Sequence, residues 1–114
     1  MKTLIIDDCR AHRALLGIYI KHFDTMGDIY DVGSHQAALA KLVDIEHIDI
    51  VFLDHDNKLN GFEFIPEIRR ERPDIKIIIM TIERAENLYL LAKECKIDMV
   101  YKPMDKKDIK RYFD

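Results

Sequence analysis

The sequence predicts a doubly wound α/β fold, with five parallel strands in one sheet and helices on both faces. Three observations lead there. Apolar periodicity switches repeatedly between short runs and helical faces along the chain. The run "IKIIIMT" at 75–81 is continuous rather than alternating, as a parallel strand covered on both faces requires. Two further apolar runs, "TLIID" and "DIVFLD", end in acid. Parallel strands need crossover connections, and the right-handed rule for those crossovers places helices above and below the sheet.

The elements follow in order. "TLIID" (3–7) reads as a buried strand, and residues 10–23 then carry Leu15, Leu16, Tyr19, Ile20 and Phe23 at helical spacing, closed by "MGD". "IYDVG" (29–33) is a weaker strand, after which Ser34 is an N-cap for a helix through Ala38, Leu42 and Val43. "DIVFLD" (49–54) is the third strand. Asn60 with Glu63 three residues on resembles a capping box opening a helix that turns Ile65 and Ile68 inward. Pro66 falls beyond the first turn of that helix, which therefore either begins later or is kinked. The strand at 75–81, a helix over about 84–95, the strand "MVYK" (99–102) and the closing helix "KKDIKRYF" complete the alternation. No internal repeat, linker or low-complexity segment interrupts it.

Composition narrows the function classes. A chain of 114 residues with 48% hydrophobic content suits one compact domain over 1–114 and is too short for two. Net charge is -3, and the basic residues (Lys2, Arg10, Arg13, Lys41, Arg69, Arg70) are scattered until the tail "KKDIKRY". They form no stripe, so nucleic-acid binding is not expected. Apolar stretches such as "IIIM" fall far below the roughly 18 residues that span a bilayer, and the chain enters its first strand with no signal-peptide layout. A cytoplasmic protein without membrane association is the expectation. Cys9 and Cys95 lie far apart with no metal-type spacing and read as two reduced thiols.

In open α/β sheets ligands bind beyond the carboxyl ends of the strands. The residues at those ends are Asp7 with Asp8, Asp54, Thr81 and Lys102. Three carboxylates at one rim repel and raise one another's pKa unless a cation joins them, and a donor set made only of oxygen favours Mg2+. A hydroxyl and an ammonium facing that cation complete a cradle for a phosphoryl group.

The chain resembles the receiver domain of response regulators in two-component signalling, and is similar over essentially its whole length to the stand-alone chemotaxis (CheY-like) and sporulation types. The resemblance rests on "IIDD" at 5–8, "VFLD" at 51–54, Gly61 opening the third helix, "IIIMT" at 77–81 and "YKP" at 101–103. It implies a flavodoxin-like sheet, Mg2+ on Asp7 and Asp8, and phosphorylation of Asp54 by a histidine kinase or phosphotransfer protein. Thr81 and Lys102 are then the phosphoryl contacts, and the loop after Asp54 offers the metal the backbone carbonyl of Asp56. A cis bond between Lys102 and Pro103 is also implied. The implied chemistry is covalent, with Asp54 attacking a phosphohistidine; the chain is then a signalling domain without an independent substrate. Output would pass to a target protein through about 84–113, from a monomer or weak homodimer, with no output domain in these residues unless a longer protein carries one.

Two other readings stand beside it. "LDHDNKL" also fits the first motif of haloacid dehalogenase-like phosphatases, with Asp54 as nucleophile and Asp56 as general acid/base; there, however, the metal-binding acids follow the lysine, whereas here they precede it at 7 and 8. A phosphate-independent interaction module keeping the acidic rim as a relic is the other.

Several positions depart from the receiver pattern. The loop after Asp54 lacks a Met-Pro pair and reaches Gly61 one residue early. Asp56 adds charge beside Asp54, either tuning the attack of water or capping the turn. Ile82 replaces a small residue and is expected to narrow access to the phosphoryl group, Glu83 to face the site, and Met99 to occupy the place of the family's switch aromatic. Tyr101 projects from the same side of its strand as Met99. His12, His22, His35 and His47 are expected on surfaces without ligand spacing, and His55 as a bystander.

Overall fold

The computed structural model describes residues 1–56 and 58–114. Strands β1 (Lys2–Ile6), β2 (Asp28–Val32), β3 (Ile50–Asp54), β4 (Lys76–Thr81) and β5 (Asp98–Tyr101) form one parallel sheet in the order β2-β1-β3-β4-β5. Helices α1 (Arg10–Phe23), α2 (His35–Asp44), α3 (Gly61–Glu71), α4 (Glu86–Glu94) and α5 (Lys106–Ile109) alternate with them. The expected doubly wound α/β architecture is present. No described helix is long and apolar enough to cross a membrane.

Burial explains why the strands read as continuous apolar runs. Leu4, Ile6, Val51, Leu53, Ile77 and Ile79 point to one face, where they meet Ala38 and Leu42 of α2, Phe64, Ile65 and Ile68 of α3, and Ala92 of α4. Ile5, Phe52, Ile78, Met80 and Val100 point to the other, against Leu16 and Ile20 of α1, Met104 and Ile109. With both faces covered, period-two alternation carries no polar residues. Each fully buried aliphatic side chain contributes about 1.5–3 kcal/mol, and the central strands β1, β3 and β4 carry most of these side chains.

Local signals account for the helix starts. The Ser34 hydroxyl accepts the Ala37 N–H at 3.1 Å, and the Asn60 side chain accepts that of Glu63 at 3.3 Å. The α3 helix therefore begins at Gly61, not later, and runs through Pro66, whose exposed position leaves its ring clear of the core. Three expectations are corrected. Leu15 is 44% and Val43 59% exposed, because each neighbours an inward residue (Leu16, Leu42) and so points about 100° away on the helix. The α4 helix is shorter than expected, starting at Glu86. The closing helix is also shorter, because α5 tightens after Ile109 into a 3-10 turn, Lys110–Tyr112. That turn brings Tyr112 and Phe113 both to 6.1 Å from the Phe52 ring.

Gly61 links the α3 start to the end of β3. A Cβ there would lie 2.7 Å from the Asp54 carbonyl oxygen and 3.1 Å from the Ile79 side chain. Gly61→Ala is therefore expected to lower stability by about 1–3 kcal/mol in urea unfolding, with the slope of the transition unchanged.

Candidate functional site

Sheet hydrogen bonding continues one residue past three of the strand pairs. The Asp7 N–H donates to the Val32 carbonyl (3.1 Å), the His55 N–H to Met80 (2.9 Å) and the Lys102 N–H to Thr81 (2.9 Å). The strands β1 and β5 thus end one residue earlier than the sequence suggests, yet Asp7 and Lys102 remain held in register at the carboxyl rim. Because β1 and β3 are neighbours in the sheet, Asp7 and Asp54 come side by side; Thr81 and Lys102 follow along the rim on β4 and just beyond β5.

The carboxylates of Asp7, Asp8 and Asp54 each bring an oxygen within 4.8 Å of the others. Asp7, Asp54 and Thr81 are buried and Asp8 is exposed. Lys102 Nζ lies 3.0 Å from Asp7 Oδ2 and 2.5 Å from Asp54 Oδ1, bridging the two. Asp7 is further held at Oδ1 by the Cys9 N–H (2.9 Å), at Oδ2 by His12 Nδ1, and at its carbonyl by Arg13 Nη1 (2.6 Å). Asp54 is different: despite the close ammonium, neither of its oxygens accepts a well-aligned hydrogen bond among the described residues.

The Thr81 hydroxyl accepts the Glu83 N–H at 3.1 Å. The Asp56 carboxylate accepts the N–H groups of Lys58 (2.7 Å) and Leu59 (2.8 Å), so the turn-capping role is present. Asn57, in the shortened loop, lies outside the described residues. Asp8, Cys9, Asp56 and Lys58 line an open depression. Ile82 is 68% exposed, Glu83 is exposed, and Met99 and Tyr101 are half-buried, Met99 against the α2–α3 side of the core. Arg84 stacks over the Tyr101 ring at 4.3 Å. The Lys102–Pro103 bond is cis, and both cysteines are free thiols.

Electrostatics divides the acids. Burial pushes the Asp54 carboxyl up to about 7; the Lys102 ammonium opposes this, and the neighbouring acids Asp56 and Asp7 add to it. Burial acts upward on Asp7 too, but the bonds from His12, Cys9 and Lys102 outweigh it and hold that carboxyl low. Burial would lower the Lys102 pKa, yet its two carboxylate partners win and raise it, so the ammonium stays charged and Asp54 is the group that titrates. A buried carboxylate with unsatisfied oxygens beside two others fits a divalent cation, the usual remedy for such crowding.

The sequence profile of the response regulator receiver domain family matches residues 3–114. The chain belongs to that family. Among solved structures, this receiver is similar to a two-component response regulator from Clostridium difficile (20% identity, 98% of this chain and 91% of that one covered, TM-score 0.85). It is also similar to the chemotaxis protein CheY4 of Vibrio cholerae (20% identity, 97% and 93% covered, TM-score 0.83) and to the BeF3-activated receiver domain of DrrB (21% identity, 97% and 92% covered, TM-score 0.76). At these identities the likeness shows the shared fold. A search of the curated proteins found no match. The matching family is the receiver's, the first of the readings that "LDHDNKL" allows.

Two residues at this rim escape sequence reasoning. His12, expected on a surface without a role, contacts Asp7, and Arg13 spans from the Asp7 carbonyl to Asp31 (3.1 Å). The available signal is the brevity of the β1–α1 loop, Asp7 to Cys9, which lays the first turn of α1 over the rim.

The raised Asp54 carboxyl makes a signed prediction. Between pH 4 and about 7 the folded state holds a proton that the unfolded state has released, so this group's contribution to stability falls as pH rises through that window. Asp54→Asn keeps a neutral side chain throughout. Its stability relative to wild type should therefore climb by roughly 2 kcal/mol or more between pH 4 and 8 in chemical denaturation, since each tenfold change in proton affinity corresponds to about 1.4 kcal/mol. A flat difference would contradict the assignment.

Proposed function

We propose that this chain is a phosphoacceptor: Asp54 takes a phosphoryl group from a phosphohistidine on a histidine kinase or phosphotransfer protein, in a Mg2+-dependent reaction, and the modified receiver engages a target protein. The observation that carries this is the Asp54 carboxylate, buried at a strand end with its oxygens free of aligned hydrogen bonds and an ammonium 2.5 Å away. A side chain so placed is available as a nucleophile, and the ammonium beside it suits an incoming phosphoryl group.

In the transfer, an Asp54 oxygen forms the new P–O bond as the P–N bond to the donor imidazole breaks, and the imidazole retains the electron pair. Asp7, Asp8, Asp54 and the Asp56 backbone carbonyl would hold Mg2+, which when bound neutralises phosphoryl charge. Lys102, already shared between two acids, takes a phosphoryl oxygen as a point charge, and Thr81 donates its hydroxyl to another. Asp56, Glu83 and the exposed Ile82 flank this site and set the access of water, hence the lifetime of the acyl phosphate.

Rotation of the Thr81 hydroxyl toward the phosphoryl group releases the Glu83 N–H it now accepts. The next residue, Arg84, rests on Tyr101, so a shift of this loop alters the surface between α4 and α5. Tyr101 thereby takes the relay role that Met99, with no ring, leaves open. Tyr89 and Leu90 of α4 are 49% and 55% exposed and offer apolar contact to a target within 84–113, and the same face would serve a weak homodimer.

Incubation with Mg2+ and acetyl phosphate or beryllofluoride should give one adduct per chain, lost in Asp54→Asn and dependent on Mg2+. A folded protein that forms no adduct would support a phosphate-independent interaction module. For the relay, Arg84→Ala should form the adduct at the wild-type rate while the chemical-shift changes induced by beryllofluoride at α4 and α5 amides shrink by half or more. The contact concerned is worth about 0.5–1 kcal/mol at an exposed site.

A further inference from the structure

We infer that His12 is a competitor for the cation at Asp7: its ring occupies the carboxylate oxygen through which a cation would join Asp7 to Asp54, and leaves it when the cation enters. The inference rests on the proposed reading that the rim holds Mg2+. Lys102 Nζ touches both Asp7 Oδ2 and Asp54 Oδ1, so these two oxygens already share one positive charge and are the pair that a second cation between the acids would join. A carboxylate oxygen has two lone pairs in its plane. On Asp7 Oδ2 one is directed to Lys102 and the other to His12 Nδ1. The other oxygen, Oδ1, accepts the Cys9 N–H.

A cation shared by Asp7 and Asp54 therefore enters at an oxygen whose acceptor capacity is already filled. One of its two donors yields. Lys102 is held by a second acid and by the backbone register of its own residue. Among the described residues the His12 ring bonds to Asp7 alone, and its side chain retains 19% exposure at the first turn of α1, so the ring can swing to water. Orientation of Asp7 survives that departure, since Cys9, Lys102 and, at the carbonyl, Arg13 still grip it. Here the usual effect of an outer hydrogen-bond partner, which is to raise metal affinity by orienting the ligand, is redundant, and competition decides the sign.

The full chain, His12→Leu (no donor) and His12→Gln (donor retained) can be compared by calorimetric titration with MgCl2 at one fixed pH, alongside ring-nitrogen NMR of the wild type. His12→Leu should bind Mg2+ about tenfold more tightly, the size of one hydrogen bond to a charged group, with His12→Gln nearer wild type. In the wild type the His12 Nδ1 resonance should move in step with Mg2+ occupancy while those of His22 and His47 stay. Equal or weaker binding by a folded His12→Leu, or a His12 resonance indifferent to Mg2+, overturns the inference while leaving Mg2+ binding itself intact. Wild type and both variants all failing to bind Mg2+ overturns the proposed Mg2+ site, and this inference with it. The NMR measurement needs no variant, so a misfolded substitution does not spare the idea.

Discussion

A single ammonium holds two buried carboxylates together, and the rest of the site is arranged around that shortage of positive charge. Lys102 bridges Asp7 and Asp54 while Asp8 and Asp56 stand close by, so the rim carries more negative than positive groups. Removing one partner of a buried ion pair typically costs about 3–5 kcal/mol, because the other is left without compensation. For Lys102 the loss would strand two acids. The long lysine stem is what allows the bridge: its backbone is paired to Thr81 on β4, and the side chain must cross that strand to reach β3 and β1.

This constraint explains the sheet order as much as the hydrophobic core does. The core demands only that apolar strands be covered on both faces, which several strand orders would satisfy. The rim demands more. Asp7 and Asp54 must be on adjacent strands, with Thr81 next and Lys102 beyond it, and β1-β3-β4-β5 is the order that provides this. The flanking β2 contributes the Val32 carbonyl that extends the Asp7 pairing and Asp31 for Arg13, so it supports the backbone of the site without entering it.

What can be read in the amino-acid letters follows the same division. Strands with both faces buried announce themselves by unbroken runs such as "IIIM", and their last polar residues follow by position, so Asp7, Asp54, Thr81 and Lys102 are legible from sequence. Side-chain direction within helices is less so, because adjacent apolar residues such as Leu15 and Leu16 cannot both face inward, and periodicity alone does not say which does. His12 is illegible for a related reason. A histidine in a helix carries no ligand spacing of its own, and its contact with Asp7 arises from the angle at which a three-residue loop launches α1. A capping box of Asp105 and Asp108, which the sequence reading does not single out, explains why α5 starts where it does.

The two buried acids are treated in opposite ways, and the difference has a chemical logic. Asp7 is pinned at both oxygens and at its carbonyl, all by groups from the β1–α1 loop, α1 and Lys102. A residue so fixed keeps its charge and its direction, which suits a ligand and unsuits a nucleophile. Asp54 ends β3, and the N–H groups of Lys58 and Leu59 that follow it are taken up by Asp56 rather than by Asp54. Had those groups been directed to Asp54, its carboxylate would be stabilised, its pKa would fall below the value of about 7 that burial and its acidic neighbours impose, and its lone pairs would be engaged. Asp56 therefore matters through what it takes away: by absorbing the N–H groups of Lys58 and Leu59 it leaves the Asp54 carboxyl without those donors, and burial keeps it raised to about 7.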